Sequence, residues 1–243
     1  MWLSAVHKRC LHTSLRLLKK SPKTLKGRTT TAQHWLFRQL NDPFVKASHD
    51  LNYRCRSAFK LLEIDDRFDI LRPGYSVVDC GAAPGAWSQV AVERVNSNGK
   101  NTDLPCGTVI GIDLLNIASL DGAHFLSSHD ITDPVTHARI LELLPNKQAH
   151  VILSDMAPNA SGFKEMDHEK LITMCFTLLD LAERVLQPEG TLVCKYWDGI
   201  FAPKLQEKLS DVFSGVRVLK PKACRKDSAE LFFLARMYKK PAK

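Results

Sequence analysis

The first 41 residues contain neither aspartate nor glutamate. Other things are missing from the whole chain. There is no Cys-x-x-Cys pair among the seven cysteines, and the nine histidines are scattered without ligand spacing. That argues against a zinc site and against a disulfide framework, and it reads as reduced thiols. No apolar run approaches the ~20 residues that a bilayer crossing takes. The glycines do not form the G-x-G-x-x-G of dinucleotide-binding folds. No internal repeat and no second domain is visible.

What is present is basic. The net charge is +8, which suits a polyanion such as nucleic acid. The acid-free start carries Lys8, Arg9, Arg16, Lys19, Lys20, Lys23, Lys26, Arg28 and Arg38. Leu11, Leu15 and Leu18 share one helical face, and His12, Arg16 and Lys19 another. An amphipathic, basic segment with Ser and Thr has the composition of a mitochondrial transit peptide, expected over 1–18. The run Arg9-Cys10-Leu11-His12-Thr13-Ser14 resembles a two-step processing pattern that makes Lys19 the mature N-terminus. Residues 19–46 then read as a basic arm with a short helix over 32–40.

From there apolar strands alternate with helices. Strands are expected at 76–79, 108–112, around Leu126 to near Asp130, 150–154, 191–195, 216–219 and 231–237. Helices are expected over 53–68, 87–95, 133–144, 164–186 and 202–213, with a turn at 188–190. In 53–68 the apolar stripe is Phe59, Leu61, Leu62 and Ile64, with Lys60 at a polar position. The alternation implies one doubly wound α/β domain with a mainly parallel sheet.

The chain is organised around Val77-Val78-Asp79-Cys80-Gly81-Ala82-Ala83-Pro84-Gly85-Ala86-Trp87-Ser88-Gln89. It reads as a buried strand, a small-residue loop and a helix opening near Pro84 or Gly85. Small residues let backbone approach a ligand, and helix-start N–H groups suit a carboxylate. In such sheets ligands sit beyond the carboxyl ends of the strands. Asp79, Asp113, Asp130, Asp155 and Lys195 all fall at those ends. Asp113, at the end of the second strand, stands where an acidic residue binds ribose hydroxyls. Asp130 taken alone reads as a helix cap.

Four separated segments carry a resemblance. They are Ser57-Ala58-Phe59-Lys60-Leu61, the 79–89 stretch, Asp155-Met156-Ala157-Pro158-Asn159 with Lys195, and Lys220-Pro221-Lys222-Ala223-Cys224-Arg225-Lys226-Asp227-Ser228-Ala229-Glu230. In order and spacing they resemble the FtsJ (RrmJ) family of S-adenosylmethionine-dependent RNA ribose 2′-O-methyltransferases, over 47–238. The resemblance implies a Rossmann-like, class I methyltransferase domain over 47–243 with an antiparallel last strand. It implies a Lys60–Asp155–Lys195–Glu230 catalytic tetrad. The cofactor S-adenosyl-L-methionine would be held by Gly81, Ala83, Pro84, Gly85, Ala86, Trp87, Asp113, Asp130 and Asp155, without a metal. Two positions depart from the pattern: Ala86 replaces a common Gly or Ser, and Glu230 is followed by Leu231-Phe232. With the leader, the resemblance implies a monomeric enzyme of the mitochondrial matrix. Its substrate would be a ribose, taken as a uridine's, in large-subunit rRNA, free or within an assembling ribosomal subunit.

The chemistry is coherent. A ribose hydroxyl must lose its proton as it attacks the methyl. Lys195 can accept that proton when neutral, a state that burial and the neighbouring cation Lys60 favour. Asp155 and Glu230 oppose that effect, so their part is orientation. An N-methyltransferase is disfavoured because Asn159, not an aromatic, follows Asp155-Met156-Ala157-Pro158. A non-catalytic RNA-binding assembly factor, or the same reaction on tRNA or an mRNA cap, stays open. RNA is expected across 19–60 and 220–226, with Arg54 and Arg56 offered to phosphate.

Overall fold

In the computed structural model of the chain, the described residues are 29–158, 161–225 and 228–239. The 1–18 leader, the 19–28 part of the basic arm, and Asn159, Lys226 and Asp227 of the segments above lie outside them. The chain divides into two compact units, residues 1–46 and 47–243.

In the first unit α1 spans Thr30–Asn41, two residues earlier and one later than expected. α2, Pro43–Asp50, begins there and was not expected. Its start is conventional nonetheless: Asp42 Oδ1 accepts from the Phe44 N–H at 3.0 Å, and Pro43 stands in the first turn, where no N–H is needed.

The second unit is a seven-stranded sheet. In chain order its elements are α3 (Ala58–Phe68), β1 (Ser76–Cys80), α4 (Ala86–Arg94), β2 (Thr108–Asp113), β3 (Ala123–Ser127), α5 (Pro134–Leu143) and β4 (Ala149–Ser154). There follow α6 (Lys164–Val185), β5 (Leu186–Trp197), α7 (Ala202–Val212), β6 (Phe213–Leu219) and β7 (Glu230–Tyr238). The order across the sheet is β3-β2-β1-β4-β5-β7-β6. Strands β1 to β5 pair in parallel. β7 runs antiparallel between β5 and β6. The doubly wound, mainly parallel reading with an antiparallel last strand is what the chain adopts.

Period-two alternation sorts the strand residues between two cores. Val77, Val109, Val151, Leu153 and Val193 pack with Ala58, Leu61 and Ile64 of α3 and Val90 of α4. Val78, Cys80, Ile110, Ile152, Leu192 and Cys194 pack with Ile140 of α5, Leu178 of α6 and Leu205 of α7. Both faces of the sheet are covered, which is why β1 is buried along its whole length, Ser76 and Asp79 included.

Several expectations need correction. α3 starts at Ala58, not 53, so residues 53–57 form an irregular approach to it. Lys60 is on the buried side of α3, 8 % exposed. α4 begins at Ala86 with Gly85 as its N-cap at φ 103°, so Pro84 precedes the helix rather than opening it. β3 ends at Ser127, three residues short of Asp130. β5 starts at Leu186, which pairs with Ala149, and pairing resumes at Val151 with Thr191. The expected turn at 188–190 is therefore a bulge inside a strand, with Glu189 at φ 63°.

Candidate active site

The ladders explain why separated residues meet. Cys80 pairs with Ile112 and with Ser154, and Ser154 pairs with Cys194. The next position on each chain is Gly81, Asp113, Asp155 and Lys195. Four neighbouring parallel strands thus bring their chemistry to one edge, around the point between β1 and β4 where the winding reverses.

Alternation then selects the face. Lys195 has the parity of Val193, so it lies on the α3 side and pairs with Phe232 of β7. α3 presents Lys60 above that ring, Nζ 5.5 Å from its centre. β7 begins at Glu230, opposite Trp197. Lys60 Nζ is 2.8 Å from Glu230 Oε1 and 3.2 Å from Asp155 Oδ1. Lys195 Nζ is 3.0 Å from the same Asp155 oxygen and donates to the Asp155 carbonyl at 2.5 Å. Both lysines are more than nine-tenths buried. All four expected tetrad members come together, Glu230 included.

Two cations and two anions share this site, so the charges balance without bulk water. Burial alone would press Lys60 toward neutrality, but the carboxylates of Asp155 and Glu230 reverse that and raise its pKa. Burial would raise Glu230, yet Lys60 outweighs it and its pKa falls. Lys60 is therefore a fixed cation. Cys224, which the sequence reading left without a role, donates its thiol to Glu230 Oε1 at 3.1 Å. Burial, with that carboxylate, pushes this thiol up to about 12, so it serves as a donor rather than a nucleophile.

The second half of the site is the 81–85 loop. The Gly81 and Ala82 N–H groups donate to the Ile112 carbonyl at 2.8 and 3.0 Å. Asp113 is built into this loop: Oδ2 accepts from the Ala83 N–H and Oδ1 from the Leu115 N–H, each at 2.8 Å. A Cβ on Gly81 (φ 75°) would strike the Met156 side chain, and one on Gly85 would strike the Arg54 guanidinium. The cradle is closed to larger residues at both places.

Several expected cofactor residues also have partners within the protein. The Trp87 side chain is 2 % exposed. Its Nε1–H donates to the Ser57 carbonyl at 2.9 Å, and its ring packs near Phe232. Ala86 is buried likewise. Both shape the helix start from behind. Asp130 Oδ1 accepts from the Thr132 N–H and hydroxyl at 2.8 Å, and these bonds lower its pKa. Asp79, singled out only by position, is 1 % exposed and accepts from Ser88 Oγ at 2.7 Å. Burial pushes its carboxyl up to about 7.

Arg54 and Arg56, expected to face RNA, bond to protein. Arg54 reaches the carbonyls of Pro84 and Ser119, and Arg56 Nη2 donates to the Ala223 carbonyl. Beside the tetrad is a cavity of about 270 Å³ lined by Arg56, Ser57, Lys60, Arg225, Ser228 and Glu230, among others. Among the described residues, no cluster of three or more His, Cys, Asp or Glu could hold a metal ion.

A buried Lys–Asp–Lys–Glu group beside a glycine cradle can remove a proton next to a bound ligand. Residues 53–238 match the FtsJ-like methyltransferase family. The chain belongs to that family. It is 46 % identical over 238 residues to the mitochondrial rRNA methyltransferase 2 of Drosophila melanogaster, spanning 97 % of this chain and 95 % of the relative. It is 44 % identical over 218 residues to ribosomal RNA large subunit methyltransferase E of Ruegeria pomeroyi, spanning 90 % and 93 %. A crystal structure of a ribosomal RNA methyltransferase from Plasmodium falciparum superposes with a TM-score of 0.67 at 25 % identity, covering 78 % of this chain and all of that one.

Proposed function

We propose that this FtsJ-like methyltransferase transfers a methyl group from S-adenosyl-L-methionine to a ribose 2′-hydroxyl, taken as a uridine's, in mitochondrial large-subunit rRNA. The observation that carries the reading is the buried tetrad, with both lysines on one oxygen of Asp155, beside a nucleotide-sized cavity with two arginines in its wall. The names of the Drosophila and Ruegeria relatives support rRNA as the substrate. The acid-free leader supports import into the matrix. Residues 1–18 are read as transit peptide, 19–46 as a basic arm, 47–243 as the methyltransferase domain.

The cradle fits the cofactor. In this reading the 81–85 loop and the first N–H groups of α4, which have no carbonyl a turn earlier, take its methionine end. Asp113 takes the ribose and Asp130 the adenine amino group. Each Asp113 oxygen has a second lone pair beyond the loop bond it already accepts. When bound, S-adenosyl-L-methionine supplies an activated methyl on a positive sulfur and leaves as a neutral thioether.

The protein's part is alignment and one proton. Lys195, in its neutral form, takes the 2′-hydroxyl proton as the new C–O bond forms. Lys60 stays cationic between Asp155 and Glu230 and stabilises the charge growing on the ribose oxygen. Asp155 orients both amines. Holding oxygen, methyl and sulfur in line supplies much of the remaining rate. The cavity beside the tetrad takes the acceptor nucleotide, with Arg56 and Arg225 near its phosphate.

Mapping ribose methylation across mitochondrial rRNA with and without the protein tests this directly. One large-subunit position should lose its methyl group when the protein is removed and regain it with the wild-type chain. Methylation unchanged everywhere in that RNA would reject the substrate. Tritiated methyl transfer to the purified transcript separates catalysis from assembly alone.

A further inference from the structure

Arg54 stands in the irregular 53–57 approach to α3, and its two arms go to different loops. Nη1 donates to the Pro84 carbonyl at 2.9 Å, and Nη2 donates to the Ser119 carbonyl at 2.7 Å. Pro84 belongs to the loop between β1 and α4. Ser119 belongs to the connection between β2 and β3. These are the two walls of the proposed cofactor cleft. The guanidinium also lies 5.8 Å from the centre of the Phe125 ring on β3.

The surroundings are cut to fit this fork. Gly85 has no Cβ, and a Cβ there would collide with Arg54 Nη1. The backbone is anchored as well: the Arg54 N–H donates to Gln89 Oε1 at 2.7 Å, and Gln89 Nε2 donates to the Asn52 carbonyl at 3.0 Å. Two residues earlier on α4, Trp87 holds the Ser57 carbonyl. The segment that leads to Lys60 is thereby stitched to the helix that opens at the cradle.

We infer that Arg54 is a positioning residue of the cofactor cleft: its fork ties the 81–85 loop to the 114–122 connection, holding the cleft at its working width before the methyl donor arrives. The inference rests on the proposed cofactor reading and adds a residue to it. Asp113 joins the same two loops by its bonds to the Ala83 and Leu115 N–H groups. Arg54 makes the second tie, at Pro84 and Ser119. Two ties stop the walls from rotating about one, and a pre-formed site loses less freedom when it binds. The residue type follows. A planar guanidinium can reach two carbonyls at once, and a lysine carries the same charge without the fork.

This also separates the role from RNA binding, where charge alone would serve. Arg54→Lys keeps the charge and loses one tie; Arg54→Ala loses both. Calorimetric titration with S-adenosylhomocysteine, without RNA, reads the cleft. Both variants are expected to bind it about tenfold more weakly, the order of one charge-assisted hydrogen bond. Hydrogen exchange on the ligand-free chain should quicken at 81–86 and 114–120 and stay unchanged in β4. Binding of an unmethylated large-subunit rRNA transcript should stay within about twofold for Arg54→Lys.

Wild-type affinity for S-adenosylhomocysteine in Arg54→Lys would overturn the fork. Unchanged S-adenosylhomocysteine affinity with weakened RNA binding in both variants would make Arg54 a phosphate contact instead. A wild-type chain that takes up no S-adenosylhomocysteine would remove the cofactor reading and this inference together. Wild-type uptake matched by both variants removes only this inference.

Discussion

Lys195 and Lys60 carry the same charge at the same carboxylate, yet their surroundings assign them different work. Lys60 is clasped by two carboxylates that keep it protonated. Lys195 has the Asp155 carboxylate and the Asp155 carbonyl, which orient its amine. Lys195→Ala should lower turnover by about a hundred- to ten-thousand-fold, the usual worth of a general base. Calorimetry should show S-adenosylhomocysteine still bound. Lys195→Arg cannot deprotonate and should be nearly as slow; an arginine variant with most of its activity would make Lys195 a mere electrostatic anchor. Glu230→Gln removes one of the charges that raise Lys60. Lys60 should then lose its proton at lower pH, and the alkaline limb of the pH–rate profile should move down. Asp79 yields a stability prediction. Its carboxyl goes from an ordinary 3.8 to about 7 on burial, so the folded chain keeps a proton that the unfolded chain has released across that window. Stability therefore falls as pH rises from about 4 to 7, by up to about 4 kcal/mol from this group alone. Urea melts of Asp79→Asn should show a visibly flatter dependence over that range.

The loop from Gly81 to Gly85 shows how an element can be plain in sequence and still hide its supports. Its small residues announce a close approach. That Met156 backs Gly81 and Arg54 occupies the space at Gly85 depends on segments far away in the chain. Gly81→Ala combines a side-chain collision with a φ of 75°, a backbone setting that costs a non-glycine residue about 1–3 kcal/mol. It should lower the urea midpoint and weaken S-adenosylhomocysteine binding together. The missed or shifted boundaries have local causes. α2 has no apolar periodicity to announce it, only Asp42-Pro43 at its head. β5 carries Pro188-Glu189-Gly190 inside the strand, because the bulge lets those residues leave the ladder and the pairing resume at Thr191. Turn chemistry was read correctly there, and its context was not. Lys60 looked like a surface position because helical periodicity counts charge as exposure; here charge is buried against charge.

For the protein as a whole, the net charge of +8 and the proposed rRNA substrate make one joint prediction. RNA affinity should fall steeply with salt, log K declining linearly with log salt concentration, while S-adenosylhomocysteine affinity should change little. Fluorescence anisotropy and calorimetry over the same salt series measure both. N-terminal sequencing of the protein from mitochondria should read from Lys19, and an intact Met1 would count against the transit reading. The alternation of apolar strands and helices was legible along the chain because each element must bury a face, and the period of burial is a local property. So was the alignment of Asp113, Asp155 and Lys195, since a parallel sheet lines up its carboxyl ends once its strands are known; Asp130 falls three residues beyond β3. Pairing partners are not local. Which strand lies beside which brought Glu230 of an antiparallel strand against Lys60. The same packing turned Trp87 into the core and aimed Arg54 at two loop carbonyls. Those outcomes depend on distances between segments scores of residues apart, and only the closed sheet with its covering helices decides them.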